Sequence, residues 1–530
     1  MILSAIELGS STALTMDTLQ AFSANAHLSA SSNANSLITF PLVQGMGFVT
    51  GIYNGATPLI QTSVFFRSVS SPIMVGSTRK YQVTLEDGKS WLVYVTPNGN
   101  SNAAGFKMTN NTSIIGPAGF NGIVQIAKNP AGASGESIYD QAAGSYATAA
   151  TISGHTQPSG TNMTGAYTLS WTKQGSNSLL MFALPHHVQS FDSATAAAKT
   201  NITLQTTTKG LATAILANQM TMVEPSLPVS MGFAPWTPSN GTVRTMSART
   251  IQAINNAATI ELAQNMTSQT NLDSMYFSGK GLAKFAFIIY TVHDIANNPS
   301  LAASGLAALK TEFNRFVQNQ QQNPLVYDDN WKGVVSSAGY KNPGADFGNT
   351  FYNDHHFHYG YFVYTAAVIG YLDPSWLNQG TNKAWVQMLV KDFANSWPGD
   401  HFPFSRSFDW YHGHSWAKGL FESGDGKDEE SSSEDTFASY AIKMWGHVIQ
   451  DANMEARGNR TSNSWLPPPP PTFSQASAAL MGGDRESDAG YPGALAASLL
   501  PHGQQQHEPA APVHRQQGHR HPLREQGRPR

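Results

Sequence analysis

From Lys80 to Leu85 polar and apolar residues alternate, Asp87-Gly88 supplies a turn, and Trp91 to Val95 resumes an apolar run. That order is the signature of a β-hairpin. Short apolar runs bounded by Gly, Asn and Pro recur beyond it, as in Gly122 to Ala127 and Ser178 to Ala183. Runs of this length across residues 37–205 predict an antiparallel β-sandwich. Residues 1–36 carry no defined pattern, and the stretch from Val223 to Pro238 is punctuated by prolines, so 206–246 reads as a linking region. Past it the hydrophobic period lengthens. Ile251, Ile254, Ile260 and Leu262, then Leu282 to Ile295, Leu306 to Val317, Tyr359 to Leu372, Trp385 to Phe393 and Phe437 to Ile449, form apolar stripes of helical length, which makes 247–459 a helical domain. After Asn459 the pattern stops. Pro467 to Pro471 is a run of five prolines, and from Thr461 onward there is neither Lys nor Ile, so 460–530 is expected to be disordered. A break so abrupt reads as a shifted reading frame or an unspliced intron, with a proline-rich linker and basic tail as the alternative expectation.

Composition narrows the partners. Thirty-one basic against 34 acidic side chains give a net charge of -3, and only 12% of the 530 residues are charged, so no basic surface is available for nucleic acid. Eleven Trp among abundant Ser, Thr, Asn and Gln suit a neutral polymer such as a polysaccharide, which needs aromatic faces and neutral hydrogen-bonding groups. The absence of cysteine excludes disulfides and thiolate chemistry. Asn-x-Ser/Thr sequons at Asn110/Asn111, Asn162, Asn201, Asn240, Asn265 and Asn459 point to the secretory route, although Met1 to Leu14 shows no readable signal peptide. No run of about eighteen apolar residues is present to span a membrane. A monomer outside the cell or in its wall is the expectation.

Two clusters carry chemistry. Asp354, His355, His356 and His358 sit among aromatics directly before an apolar helix. A carboxyl there is partly desolvated, which raises its pKa and suits a general acid. The histidines could ligate zinc or be satisfied structurally, but H-E-x-x-H is absent and adjacent histidines diverge on regular backbone, so no metal is expected. In the second cluster Asp409, His412, His414, Trp416 and Lys418 precede a glycine-rich acidic loop and then Glu430 and Glu434, four apart at the opening of a helix, which would place both carboxylates on one side. Acids at a helix N-terminus also cap it, so a structural reading stays open. EF-hand spacing is not matched, and no cofactor is implied.

The strings YNDHHFHYGYFVY, FDWYHGHSWAKGLFESGDGKDEESSSED and YAIKMWG with MEARGN resemble glycoside hydrolase family 81, with weaker likeness back through YFSGKGLAK and MVEPSLPVSMGFAPW to about Leu37. The resemblance implies a multidomain β + α chain: an N-terminal antiparallel β-sandwich, a small linking domain and a C-terminal (α/α)6-type helical barrel, incomplete here. It also implies an inverting endo-1,3-β-glucanase acting on β-1,3-glucan. By position the general acid falls on Asp354 and the general base on Glu430, with Glu434 supporting. His358, Asp409, His414 and Lys418 are candidates for holding the sugar, and Tyr352, Trp410 and Trp416 for stacking on it. The family has more β-structure before Leu37 and more helices after MEARGN, so a catalytically impaired glucan-binding protein is the alternative expectation.

Overall fold

The computed structural model describes residues 1–463 apart from 100, 102–104, 160–161, 238–239, 244 and 425. The tail expected to be disordered lies outside the described residues from 464 onward. The hairpin read from the sequence is present: Thr78–Leu85 pairs antiparallel with Ser90–Pro97, Trp91 opposite Val83 and Val93 opposite Tyr81, around Gly88 at φ 78°. Val93 and Val95 face one core, while Leu92 and Tyr94 face another. Both faces of this sheet are therefore covered, which is why Trp91 to Val95 reads as a continuous apolar run.

The sheet holding the hairpin has nine strands, and its first face packs on a four-stranded antiparallel sheet. Two three-stranded antiparallel sheets, one built from Tyr146–Ser159, Asn162–Gln174 and Gln219–Leu227, the other from Leu180–Ala183, Leu211–Leu216 and Lys199–Gln205, share the core on the opposite face. Two boundaries differ from expectation. The first 36 residues hold Ile2–Ala5, Ala13–Asp17 and Ser23–Ser29, all strands. Ile2 pairs with Gln61, a partner no local pattern encodes. Half of the expected linking region is also strand, since Met220, Met222 and Leu227 turn inward from Gln219–Leu227. That strand lies at a sheet edge with a register shift beside Pro225, where a missing N–H is tolerated.

The six helical stripes emerge as Ala248–Leu262, Met275–Tyr290 (prolonged by one π turn, Thr291–Ile295), Pro299–Val317, His355–Leu372, Asn382–Ala394 and Ser432–Ile449. Side-chain caps fix four of these starts: the Ser247, Ser274, Asn298 and Ser431 oxygens accept backbone N–H groups three residues on. His355–Leu372 is buried at almost every position to Gly370, and so is the central helix. At Gly360 an added Cβ would meet Ala438 Cα at 3.0 Å, so this helix and Ser432–Ile449 approach backbone to backbone. Gly360→Leu should therefore cost about 1–3 kcal/mol in urea unfolding, and Gly360→Ala distinctly less. Among the described residues no helix is long and apolar enough to cross a membrane. Asn459, read as a sequon, is 2% exposed and accepts from Lys443 Nζ at 2.6 Å, which closes it to glycosylation in this fold.

Candidate active site

Four non-glycine residues in the turn before the central helix adopt left-handed backbone: Asp346, Phe347, Tyr352 and Asp354, with φ between 51° and 61°. Each costs on the order of 1 kcal/mol, and such strain persists only where neighbours enforce it. Here the neighbour is the segment Ala417–Leu420. Asp354 N–H donates to the Ala417 carbonyl at 2.8 Å, Leu420 N–H to the Phe351 carbonyl at 2.7 Å, and Gly419 N–H to Asn353 Oδ1 at 2.9 Å. Asp354 stands at the N-cap, just before His355–Leu372, yet its side chain makes no cap there. Its side chain is 6% exposed, and Oδ1 has no hydrogen-bond partner among the described residues. Burial first, and the nearby Glu430 charge second, push its pKa up to about 6, against the pull of His358 and Lys418.

On the other side of the same segment Ala417 N–H donates to the Asp428 carbonyl at 2.8 Å. Glu430 follows, also left-handed at φ 60°, just ahead of the Ser431 cap. It thus precedes the helix instead of sharing a helical face with Glu434, because the chain turns at Glu430 before the helix begins. Its carboxylate is half exposed and accepts from Lys418 Nζ. Burial would lower the Lys418 pKa, but this hydrogen bond and the charges of Asp354, Glu430 and Asp428 together outweigh it and raise it. Glu434 Oε1 accepts two phenols, Tyr276 at 2.8 Å and Tyr361 at 2.6 Å. Tyr276 resists ionisation through burial and then through Glu434, Asp354 and Glu430, so its ring stands within reach of all three carboxyl groups.

The three histidines diverge. His355 binds Asp392 through Nδ1 and the Asn349 carbonyl through Nε2, His358 Nδ1 lies 3.6 Å from Asp346, and His356 is buried with neither ring nitrogen hydrogen-bonded among the described residues. Burial drives His356 down to about 3. Among the described residues no group of three or more His, Cys, Asp or Glu side chains converges as metal ligands would.

Asp409, His414 and Trp416 form a second cluster. Asp409 Oδ1 accepts the Tyr411 and His412 N–H groups, and Oδ2 accepts from Gln44, His412 and Trp416 Nε1, at 2.8 to 3.0 Å. Burial alone would raise its pKa, but these donors win and hold it well below the usual carboxylate range. With both oxygens engaged, Asp409 orients the Trp416 indole and has little left for a sugar. His414 is 5% exposed, and its Nδ1–H donates to the Ser415 carbonyl at 2.8 Å. Ser415 is in turn anchored to Asp435 of Ser432–Ile449 through its N–H (3.0 Å) and hydroxyl (2.6 Å). Trp416 keeps part of its surface open. Tyr352 and Trp410 do not: they are 4% and 5% exposed. Tyr352 donates to Asp328 under the Arg406 guanidinium, 4.1 Å from its ring, and Trp410 packs in the β-side core while donating to Ser405. Neither offers a face for stacking.

Sequence reasoning passed over Tyr276, Tyr361 and Asp346. Tyr276 lies in YFSGKGLAK and Tyr361 in YNDHHFHYGYFVY, so both strings held them without revealing that they hold Glu434. It also passed over Glu429, which burial and then Asp435 push up to about 7.

Residues 1–238 match the glycosyl hydrolase family 81 N-terminal domain and residues 245–463 the C-terminal domain of the same family. The chain belongs to glycoside hydrolase family 81. It is 56% identical over 466 residues to the glucan endo-1,3-beta-D-glucosidase of Arthroderma benhamiae, covering 87% of this chain and 50% of that relative. It is 43% identical to the primary septum glucan endo-1,3-beta-D-glucosidase of Schizosaccharomyces pombe, across 80% of this chain and 41% of that one. The chain thus spans about half the length of these curated relatives. A solved family 81 glycoside hydrolase from Clostridium thermocellum shares the fold with a TM-score of 0.67 at 22% identity, covering 87% of this chain and 62% of that chain. The family match begins at residue 1, in keeping with the strands found there and not with a start near Leu37.

Proposed function

We propose that this protein hydrolyses internal bonds of β-1,3-glucan with inversion, Asp354 protonating the leaving glycosidic oxygen and Glu430 deprotonating the attacking water. The observation that carries the reading is the contrast between two neighbouring carboxyl groups. Asp354 is buried and keeps its proton to about pH 6, whereas Glu430 is half exposed and paired with Lys418. One is suited to give a proton and the other to take one. Glu434, fixed by two phenols, positions the base helix.

The Asp354 and Asp428 backbones flank Ala417, each through one hydrogen bond, which ties the segments carrying the acid and the base to the same residue. Inversion is what the family resemblance implies, and it requires roughly 6.5–9.5 Å between the two carboxyl groups to leave room for water, where a retaining pair needs roughly 5–5.5 Å. The relatives' printed names support the substrate, and Trp416 the sugar contact. On the same reading the β-rich half is the family's β-sandwich and the helical half part of an (α/α)6 barrel. The protein then acts outside the cell or in its wall, as a monomer.

Laminarin digestion should release mixed oligosaccharides whose new reducing ends are α-anomers in the first minutes, followed by proton NMR. β-anomers appearing first would overturn inversion, and no new reducing ends would favour a glucan-binding protein without catalysis.

A further inference from the structure

The β-rich half sends one cation into the region just described. Between Lys199–Gln205 and Leu211–Leu216 the chain turns tightly, Thr206 N–H and its hydroxyl both donating to the Gly210 carbonyl (3.0 and 2.7 Å) and Lys209 N–H to Thr206 Oγ1 at 2.8 Å. These bonds fix the direction in which Lys209 leaves the turn. Its ammonium donates to His414 Nε2 across 205 residues of sequence, and Nζ stands 5.7 Å from the centre of the Trp416 ring. Because Nδ1–H of His414 is committed to the Ser415 carbonyl, Nε2 can only accept, which sets the tautomer and makes the lysine the donor. Burial lowers the Lys209 pKa while Glu429 and Asp409 oppose it, so two acids stand within reach of the same ammonium.

An ammonium has three N–H bonds, and His414 uses one, the one hydrogen bond the Lys209 ammonium makes among the described residues. We propose that Lys209 is a glucan-binding residue: its remaining N–H bonds engage hydroxyls of a glucosyl ring stacked on Trp416, completing a subsite where the β-rich and helical halves meet. The proposal rests on the glucan reading above. Two further contacts from the β side fit it. Gln44 Nε2 holds Asp409, which orients the Trp416 indole, and Tyr411 O–H donates to the Phe182 carbonyl at 2.5 Å, pinning the same loop to the β core. The stacking face and its donor are therefore aligned by residues more than 200 positions apart. His414 acts as the seat of Lys209 and not as a direct ligand.

Lys209 leaves a partly exposed turn, so substitution should spare the fold. In an Asp354→Asn background, which keeps oligosaccharide uncut, calorimetry with laminarihexaose should show binding weakened about tenfold or more by Lys209→Met, and largely kept by Lys209→Arg. In the same Lys209→Met protein, NMR should find the His414 ring titrating at higher pH than in the parent, because a positive neighbour is gone. Unchanged affinity in Lys209→Met overturns the subsite alone. An unmoved His414 titration overturns the contact it is built on. A parent that does not bind the hexasaccharide overturns the glucan reading and the subsite with it.

Discussion

Asp354→Asn should lower kcat on β-1,3-glucan by about 10²–10⁴-fold and, at neutral pH, make the protein more stable. On the proposed mechanism the first effect follows from removing the proton donor to the leaving oxygen. The second follows from the burial that suits Asp354 to that role. Its folded pKa is raised from 3.8 to about 6, so the folded state holds the proton more tightly than the unfolded chain. That favours folding below about pH 4, and the advantage is lost as pH rises through about 6. Above pH 6 the fold carries a buried carboxylate with one oxygen unpartnered among the described residues. One pKa unit corresponds to about 1.4 kcal/mol, so the difference amounts to on the order of 2–3 kcal/mol. Asn does not titrate, and it tolerates the left-handed φ of 57° better than most residues. Urea unfolding of both proteins at pH 4 and pH 7 checks this: the variant should gain on the parent by that amount between the two pH values. A constant offset would mean that burial does not raise the Asp354 pKa.

What the sequence disclosed divides along physical lines. Patterns whose cause is local were legible. The stripe from Leu306 to Val317 became Pro299–Val317, and Asp87-Gly88 marked a turn because Gly88 must take positive φ. Pairings made at long range were not legible. Ile2–Ala5 is too short to announce itself and exists because Pro58–Gln61 lies beside it. The prolines that made Val223 to Pro238 look like a connector proved compatible with an edge strand. At the candidate site, residue types and the family resemblance pointed to Asp354, Glu430 and Glu434 but not to their surroundings. A tryptophan's face is open or closed according to packing: Trp416 stays partly open while Trp410, six residues earlier, packs beside Phe408 in the β-side core. Lys209 and Gln44 were invisible because nothing near them in sequence bears on Asp409 or His414.

Glu430→Gln is expected to cost a further comparable loss, about 10²–10⁴-fold in kcat, and to move the titration of a residue it does not replace. Glu430 is the largest charge raising the Asp354 pKa after burial itself, and Lys418 is among the charges lowering it. Neutralising the glutamate removes a like charge, so Asp354 should release its proton at lower pH. The alkaline limb of kcat/KM, expected near pH 6 in the parent where Asp354 would lose its proton, should shift to lower pH in the residual activity of Glu430→Gln. Lys418→Met should shift it the other way, since a cation no longer favours the carboxylate. Carbon-13 NMR of the Asp354 carboxyl follows the same shifts without relying on turnover. The opposite signs are the decisive feature, because general damage to the site would lower activity in both variants without moving one limb down and the other up. If the limb stays fixed in both, Asp354 and Glu430 do not sense each other's charge, and the acid and base belong to other residues.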